Sequence, residues 1–300
     1  MKHDVLLPHL ELGPDPTAVR DFAQAVEALG FRRLMLPDHV VGVDTANRTD
    51  WSSRRGGPVL GVGRYTRDHL FQEPLVLAGY LAGATTRLGL VPGVIILPQR
   101  QAVLVAKQAA DVDLLSGGRF HLGIGIGWND IEYEAMGSEF HNRGKRVEEQ
   151  VAVMRALWTQ EVVTFEGRWH RLNEVGLNPL PVQRPIPLWF GGGGAEPALE
   201  RIARLADGWF APTSGYQTPE DLGAMIERLR RYAQAAGRDP NLPVQVMLKV
   251  GTGSPDDWRR AYDTWARMGI ASVSLYTMAG GLSGVDQHVQ RLREVKAVLG

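Results

Sequence analysis

Pro37-Asp38-His39 follows a short β-rich run, Arg33–Leu36. A histidine titrates near neutral pH, so at a strand end it can donate or accept a proton while a hydride moves. Asp38 could orient that ring and set its tautomer; the plainer alternative is a histidine that caps a loop. Gly191-Gly-Gly-Gly194-Ala195-Glu196 joins another β-rich run to a helical pattern. Glycine backbone at a helix N-terminus offers unpaired N–H groups and the positive end of the helix dipole, an anion site suited to phosphate. Gly123-Ile-Gly-Ile-Gly127-Trp128-Asn129 is spaced like a dinucleotide fingerprint and fails it, because the third glycine falls on Trp128 in one register and on Asp130 in the other. Its glycines still let backbone approach a flat ring or a phosphate, or they serve close packing. His9-Leu10-Glu11 lacks the His-x-His that a metal hydrolase of comparable architecture would want, which disfavours a metal centre.

The elements that would position these residues alternate in type. Val5–Leu7 reads as a strand, and Val19, Phe22, Ala23, Val26 and Leu29 then form one apolar helical stripe that Gly30 ends. The same succession repeats along the chain. Helix Glu73–Ala84 leads to strand Arg87–Ile96, and helix Ala102–Leu115 to strand Arg119–Ile124. A long helix through Val147, Val151, Met154 and Trp158 follows. After an apparent hairpin over Val162–Leu172 and a proline-rich connector come strands Leu188–Phe190, Gly208–Phe210, Val244–Val250 and Ala271–Leu275. Helices Glu196–Ala206, Pro219–Ala236, Pro255–Met268 and Val285–Val298 follow them in turn. Eight strand–helix units predict an α/β fold, a (β/α)8 TIM barrel in which residues 1–300 make one domain. Two long segments, Gly42–His69 and Gly127–Lys145, follow strands and precede helices, so both are insertion loops at the C-terminal face where barrel active sites lie. The first carries Arg48, Arg54, Arg55, Arg64 and Arg67 against Asp44, Asp50 and Asp68. It is either a solvated lid or an electropositive mouth. Trp51, Tyr65, Trp128 and Tyr133 could wall an apolar pocket or pack beneath their own loops.

Composition narrows the function. Lys+Arg and Asp+Glu are both 33, and a nucleic-acid binder would carry a basic excess. The absence of cysteine excludes thiolate catalysis and Cys-ligated metal, and it fits a reducing cytoplasm. No run approaches 18 apolar residues, so no membrane span is expected. The expected partner is a small-molecule substrate.

Motifs in one order along nearly the whole chain resemble the bacterial luciferase-like monooxygenase superfamily. They are Leu36-Pro-Asp-His39, Leu88-Gly with Gly93-Val-Ile-Ile-Leu-Pro98, and Leu115-Ser-Gly-Gly-Arg-Phe120 running to Gly123-Ile-Gly-Ile-Gly-Trp128. The last is Pro185-Ile-Pro-Leu-Trp-Phe-Gly-Gly192 running to Ala206-Asp-Gly-Trp209. Asp38-His39 is similar to the branch that uses the 5-deazaflavin coenzyme F420. That resemblance implies a hydride transfer between F420 and a small organic substrate, with His39 beside the ring. It implies a cis peptide at Gly93–Val94 behind the ring. Gly127, Trp128, Gly191, Gly192, Gly193 and Gly194 would hold the ribityl chain and phosphate. The alternative within the superfamily is an FMN-dependent monooxygenase, which consumes oxygen and takes reduced flavin from a separate flavin reductase. A homodimer is a further implication of the resemblance, and a non-catalytic flavin-binding protein is a further rival.

Overall fold

The structure is a computed structural model and describes residues 1–46, 48, 65–212 and 218–300. Its strands are β1 (Lys2–Leu6), β2 (Arg33–Leu36), β3 (Gly89–Pro92), β4 (Ile95–Ile96), β5 (Leu122–Gly125), β6 (Val163–Glu166), β7 (Arg171–Val175), β8 (Leu188–Gly191), β9 (Gly208–Phe210), β10 (Val244–Lys249) and β11 (Ser272–Tyr276). The helices are α1 (His9–Leu12), α2 (Pro16–Ala28), α3 (Pro74–Ala84), α4 (Ala102–Leu115), α5 (Asp130–Ala135), α6 (Arg143–Thr159), α7 (Glu196–Leu205), α8 (Pro219–Ala235), α9 (Pro255–Arg267) and α10 (Gly284–Leu299).

Several helices start where a proline at the first turn follows a side chain that can cap. Asp15 accepts from the Thr17 amide, and Glu73 from the Val76 amide. Thr218 with Asp221 and Ser254 with Asp257 form reciprocal capping boxes. Proline at the first helical position gives up a donor that has no helical partner anyway, so the chain enters each helix at little cost.

The sheet runs β3-β2-β1-β11-β10-β9-β8-β5-β4, all parallel, with β6 and β7 set apart as an antiparallel hairpin. Its two ends belong to one barrel strand. Leu90 in β3 bridges Phe120, just ahead of β5, while Ile95 and Ile96 in β4 pair with Ile124 and Gly125. The sheet therefore closes, and β3 with β4 makes the third of eight barrel strands among the described residues. The expected continuous strand Arg87–Ile96 is thus corrected. It breaks at Gly93–Val94, where the peptide is cis and Gly93 N donates to Leu36 O at 2.7 Å.

Between barrel and helices lies one large apolar core containing Phe22, Phe120, Trp158 and Trp209. Inside the barrel, a smaller cluster of Leu6, Met35, Val91, Trp189, Phe210, Tyr276 and Met278 packs above a polar floor. In that floor Arg33 bonds Asp4 (2.8 Å) and Gln245 (2.8 Å), reaches His121 (3.3 Å) and lies over the Trp189 ring at 4.3 Å. Among the described residues, no helix is long and apolar enough to cross a membrane.

Candidate active site

A cavity of about 380 Å³ opens above this interior. Its walls come from the C-terminal ends of β2, β3–β4, β5, β8 and β9 and from the middle of β10 and β11, together with Phe71 from the loop after β2. Asp38, His39, Gly93, Val94, Gly127, Trp128, Gly191 and Gly192 all line it, so residues spread over 155 positions meet at one site (192 − 38 + 1). Gly193 and Gly194 lie beyond the lining, in the turn that leads to α7.

His39 is held by two contacts. Its Nδ1 lies 3.3 Å from Glu132 Oε2, and the Tyr65 ring stacks on the imidazole at 3.6 Å between centroids. Phe71 meets the ring edge-on at 4.9 Å, and Trp128 stands 6.4 Å away. Glu132 is fully enclosed, and its other neighbours are donors as well: Val40 N (2.6 Å), Val41 N (3.4 Å), Tyr65 OH (3.2 Å) and Gln99 Nε2 (3.2 Å). Burial pushes this carboxyl up. Bonds from His39, Val40 and Gln99 outweigh it, and the group stays below the ordinary glutamate value. A carboxylate so placed can only accept. Nδ1 of His39 must therefore carry the proton, which leaves Nε2 for exchange.

The expected role of Asp38 is corrected. Its carboxylate does not orient the imidazole; it takes two bonds from Arg100 (2.8 and 3.3 Å) and one from the amide of Ile96 (3.0 Å). Burial outweighs those bonds and holds the carboxyl above the ordinary aspartate value. Asp38 thus ties the end of β2 to the chain just beyond the Gly93–Val94 break.

Glu132, which sequence reasoning missed, sits in α5 inside the second long loop. A signal existed: Asn129-Asp130-Ile131-Glu132 is a capping residue with glutamate three positions on. Asn129 does cap α5, accepting from the amides of Ile131 (3.1 Å) and Glu132 (3.3 Å), and its side-chain amide donates to Tyr65 OH. Tyr133 packs beneath that loop and donates to Ile126 O at 2.7 Å. Trp51, Asp50, Arg54, Arg55 and Arg64 lie outside the described residues.

Glycines make room where side chains would collide. A Cβ on Gly125 would sit 2.7 Å from Val94 Cγ2, and one on Gly191 would sit 2.7 Å from Val94 Cγ1, so the isopropyl group seats between two bare backbones. In the turn before α7, Gly192, Gly193 and Gly194 have φ of +109°, +136° and +98°, a conformation glycine adopts readily. The amides of Gly193, Gly194 and Ala195 donate to no protein acceptor among the described residues, and Ala195 at the N-cap has no capping side chain.

The sequence profile of the luciferase-like monooxygenases matches residues 3–296. The chain belongs to that family. It is 32% identical to an uncharacterized Mycobacterium tuberculosis protein over 297 residues, covering 97% of both. It is 31% identical to the FMNH2-dependent dimethylsulfone monooxygenase of Pseudomonas putida over 179 residues, which cover 59% of this chain and 48% of that protein. Among solved structures it superposes on an F420-dependent secondary alcohol dehydrogenase in complex with an F420–acetone adduct. The TM-score is 0.73 at 16% identity, over 98% of each chain, a likeness of fold. As a luciferase-like enzyme the protein is an oxidoreductase whose family includes monooxygenases.

Proposed function

We propose that this luciferase-like protein passes a hydride between the 5-deazaflavin coenzyme F420 and a small organic substrate in the barrel mouth. The observation that carries the reading is His39. It lines an apolar cavity of cofactor size with Nδ1 committed to an ionised Glu132 and Nε2 left to exchange a proton. The residues present fit a flat ring with a phosphate tail. Gly125, Gly127 and Gly191 bring bare backbone to the cavity, Val94 projects between two of them, and the open amides of Gly193, Gly194 and Ala195 precede α7. Val94, Gly127, Trp128, Gly191 and Gly192 would hold the ring and its chain, and the Gly193–Ala195 amides the phosphate.

When bound, a deazaflavin supplies a carbon-centred hydride donor or acceptor that reacts poorly with oxygen. The protein does the rest. Glu132 fixes the tautomer of His39, Nε2 gives or takes the accompanying proton, and the stacked aromatic rings keep water from the imidazole. A second reading, FMN-dependent oxygenation fed by a flavin reductase, is supported by the 31% identity to the FMNH2-dependent monooxygenase. Anaerobic fluorescence titration of the purified protein with F420 and with FMN separates the two. Micromolar or tighter F420 binding with weak FMN binding is expected. Tight FMN binding without F420 binding, followed by oxygen uptake in step with product, would overturn the first reading in favour of the second.

A further inference from the structure

Most of the cavity wall is apolar or glycine, but its deep end, beside the Asp4–Arg33 pair, presents two polar side chains. Gln245 projects from β10 and Ser274 from β11. Both residues are about 2% exposed. Since Gln245 pairs in register with Ser272, and Met247 with Ser274, the two side chains are diagonal neighbours on adjacent strands.

The orientation of the Gln245 amide follows from chemistry. Arg33 can only donate, and its Nη2 lies 2.8 Å from the carboxamide; Ser272 Oγ approaches the same atom at 3.4 Å. Arg33 is itself pinned by Asp4 and by the Trp189 ring. The amide oxygen must face the guanidinium, so the NH2 group faces the cavity, where it rests on Met35 Sδ at 2.7 Å. A thioether is a weak acceptor. Ser274 Oγ is buried without any hydrogen-bond partner among the described residues. A protein rarely leaves a strong donor on sulfur and a hydroxyl unpaired side by side at a cavity wall unless a ligand completes them.

The geometry points to an oxygen seat: the deep end of the cavity binds the carbonyl oxygen of a neutral, flat, largely apolar molecule through Gln245 Nε2 and Ser274 Oγ. Among the described residues the lining offers no free charge for an ionic substrate. Of its ionisable side chains, Asp38 is taken by Arg100 and His39 by Glu132. This deepens the oxidoreductase reading by naming a substrate class, neutral carbonyl compounds, and rests on that reading only for what happens next to the bound molecule. The carbonyl edge of a flavin-type ring offers the same chemistry, and the experiment tells the two sources apart.

Ligand-observed NMR on the purified protein, without cofactor, measures binding of acetophenone and of ethylbenzene, which lacks the oxygen. Acetophenone is expected to bind at least fivefold more tightly. In Ser274→Ala its affinity falls about fivefold to tenfold while ethylbenzene changes less than twofold. The melting temperature holds or rises, because an unpaired buried hydroxyl has been removed. Gln245→Glu keeps an acceptor for Arg33, removes the donor and abolishes the preference. Titration of FMN and F420 into both variants identifies the source. Unchanged cofactor affinity places the substrate's oxygen in the seat, and a matching fivefold to tenfold loss places the ring's carbonyl there. Equal binding of the two probes by the wild type, or variants that weaken neither acetophenone nor either cofactor, would overturn the seat. Because the acetophenone arm contains no cofactor, its result stands whether or not the redox reading does.

Discussion

His39 and Glu132 lie 93 positions apart, yet the imidazole Nδ1 meets the carboxylate Oε2 at 3.3 Å, and the carboxylate's other hydrogen-bond partners among the described residues are all donors. The arrangement divides the work of one ring between two nitrogens. Nδ1 is a fixed donor that orients the ring, and under the proposed function Nε2 would be its reactive end. Such outer partners commonly govern function nearly as strongly as the group they hold.

Glu132→Gln tests that division. An amide would turn an N–H toward Val40 N, Tyr65 OH or Nδ1, and the imidazole would lose its fixed tautomer. Turnover is expected to fall about 10- to 100-fold, with F420 and FMN affinities within twofold of the wild type by fluorescence titration. His39→Ala should cause a similar loss. An unchanged rate in either variant, with cofactor still bound, removes the imidazole from the chemistry.

Asp38 and Arg100 make a different kind of pair, a strut across the break in the third barrel strand. Asp38 is buried and Arg100 is 11% exposed, and the Asp38 carboxylate also takes the Ile96 amide. Arg100→Met leaves that carboxylate without its cation and is expected to destabilise the fold by about 3 kcal/mol. Arg100→Met with Asp38→Asn should recover part of that loss, because no uncompensated charge remains. Urea unfolding of both variants measures it. A loss below about 0.5 kcal/mol in the single variant would show that the strut is not what holds this junction.

The barrel was legible because its evidence is local. Apolar stripes, prolines after capping residues and glycines at helix ends set element after element, and Ala102–Leu115 and Gly208–Phe210 emerge with the expected bounds. The positions of His39, Val94 and the Gly191–Gly194 turn at one mouth follow from strand order alone. What could not be read is which carboxylate reaches His39. Asp38 is adjacent in sequence and Glu132 is remote, but a strand turns successive side chains to opposite sides, and only the path of the loop after β5 decides which acid arrives. The break at Gly93–Val94 was likewise invisible to periodicity, since apolar residues continue through it. The open amides before α7 could be anticipated because glycine and alanine there leave nothing to cap them.

Val94 and Gly191 form a lock that packing alone can test. Gly191→Ala would place a methyl 2.7 Å from Val94 Cγ1. Overpacking of this kind costs about 1–3 kcal/mol. Gly191→Ala is therefore expected to lower the urea midpoint and weaken cofactor binding together. Adding Val94→Ala opens the space and should restore most of the stability. If the double variant is no more stable than the single one, contact with the valine is not what requires glycine at position 191.

Buried histidines give the fold an acid limit. His9 and His121 are both pushed down to about 4, first by burial, while the unfolded chain binds their protons near 6.5. Above pH 6.5 both states are neutral at these positions and nothing is lost. As pH falls from 6.5 toward 4 the unfolded state takes up protons that the folded state refuses, so stability declines with acidity across that window. Each group contributes at most about 3 kcal/mol to that decline. Urea midpoints at pH 7.5, 6.0, 5.0 and 4.5 should therefore drop progressively. His121 is the more informative, because it sits in the barrel floor 3.3 Å from the Arg33 guanidinium, which adds to the penalty for its charge. His121→Gln keeps an acceptor for Arg33 and removes the titration, so its midpoint should fall less steeply between pH 6.5 and 4.5 than that of the wild type. Parallel slopes for the two proteins would place the acid sensitivity elsewhere in the molecule.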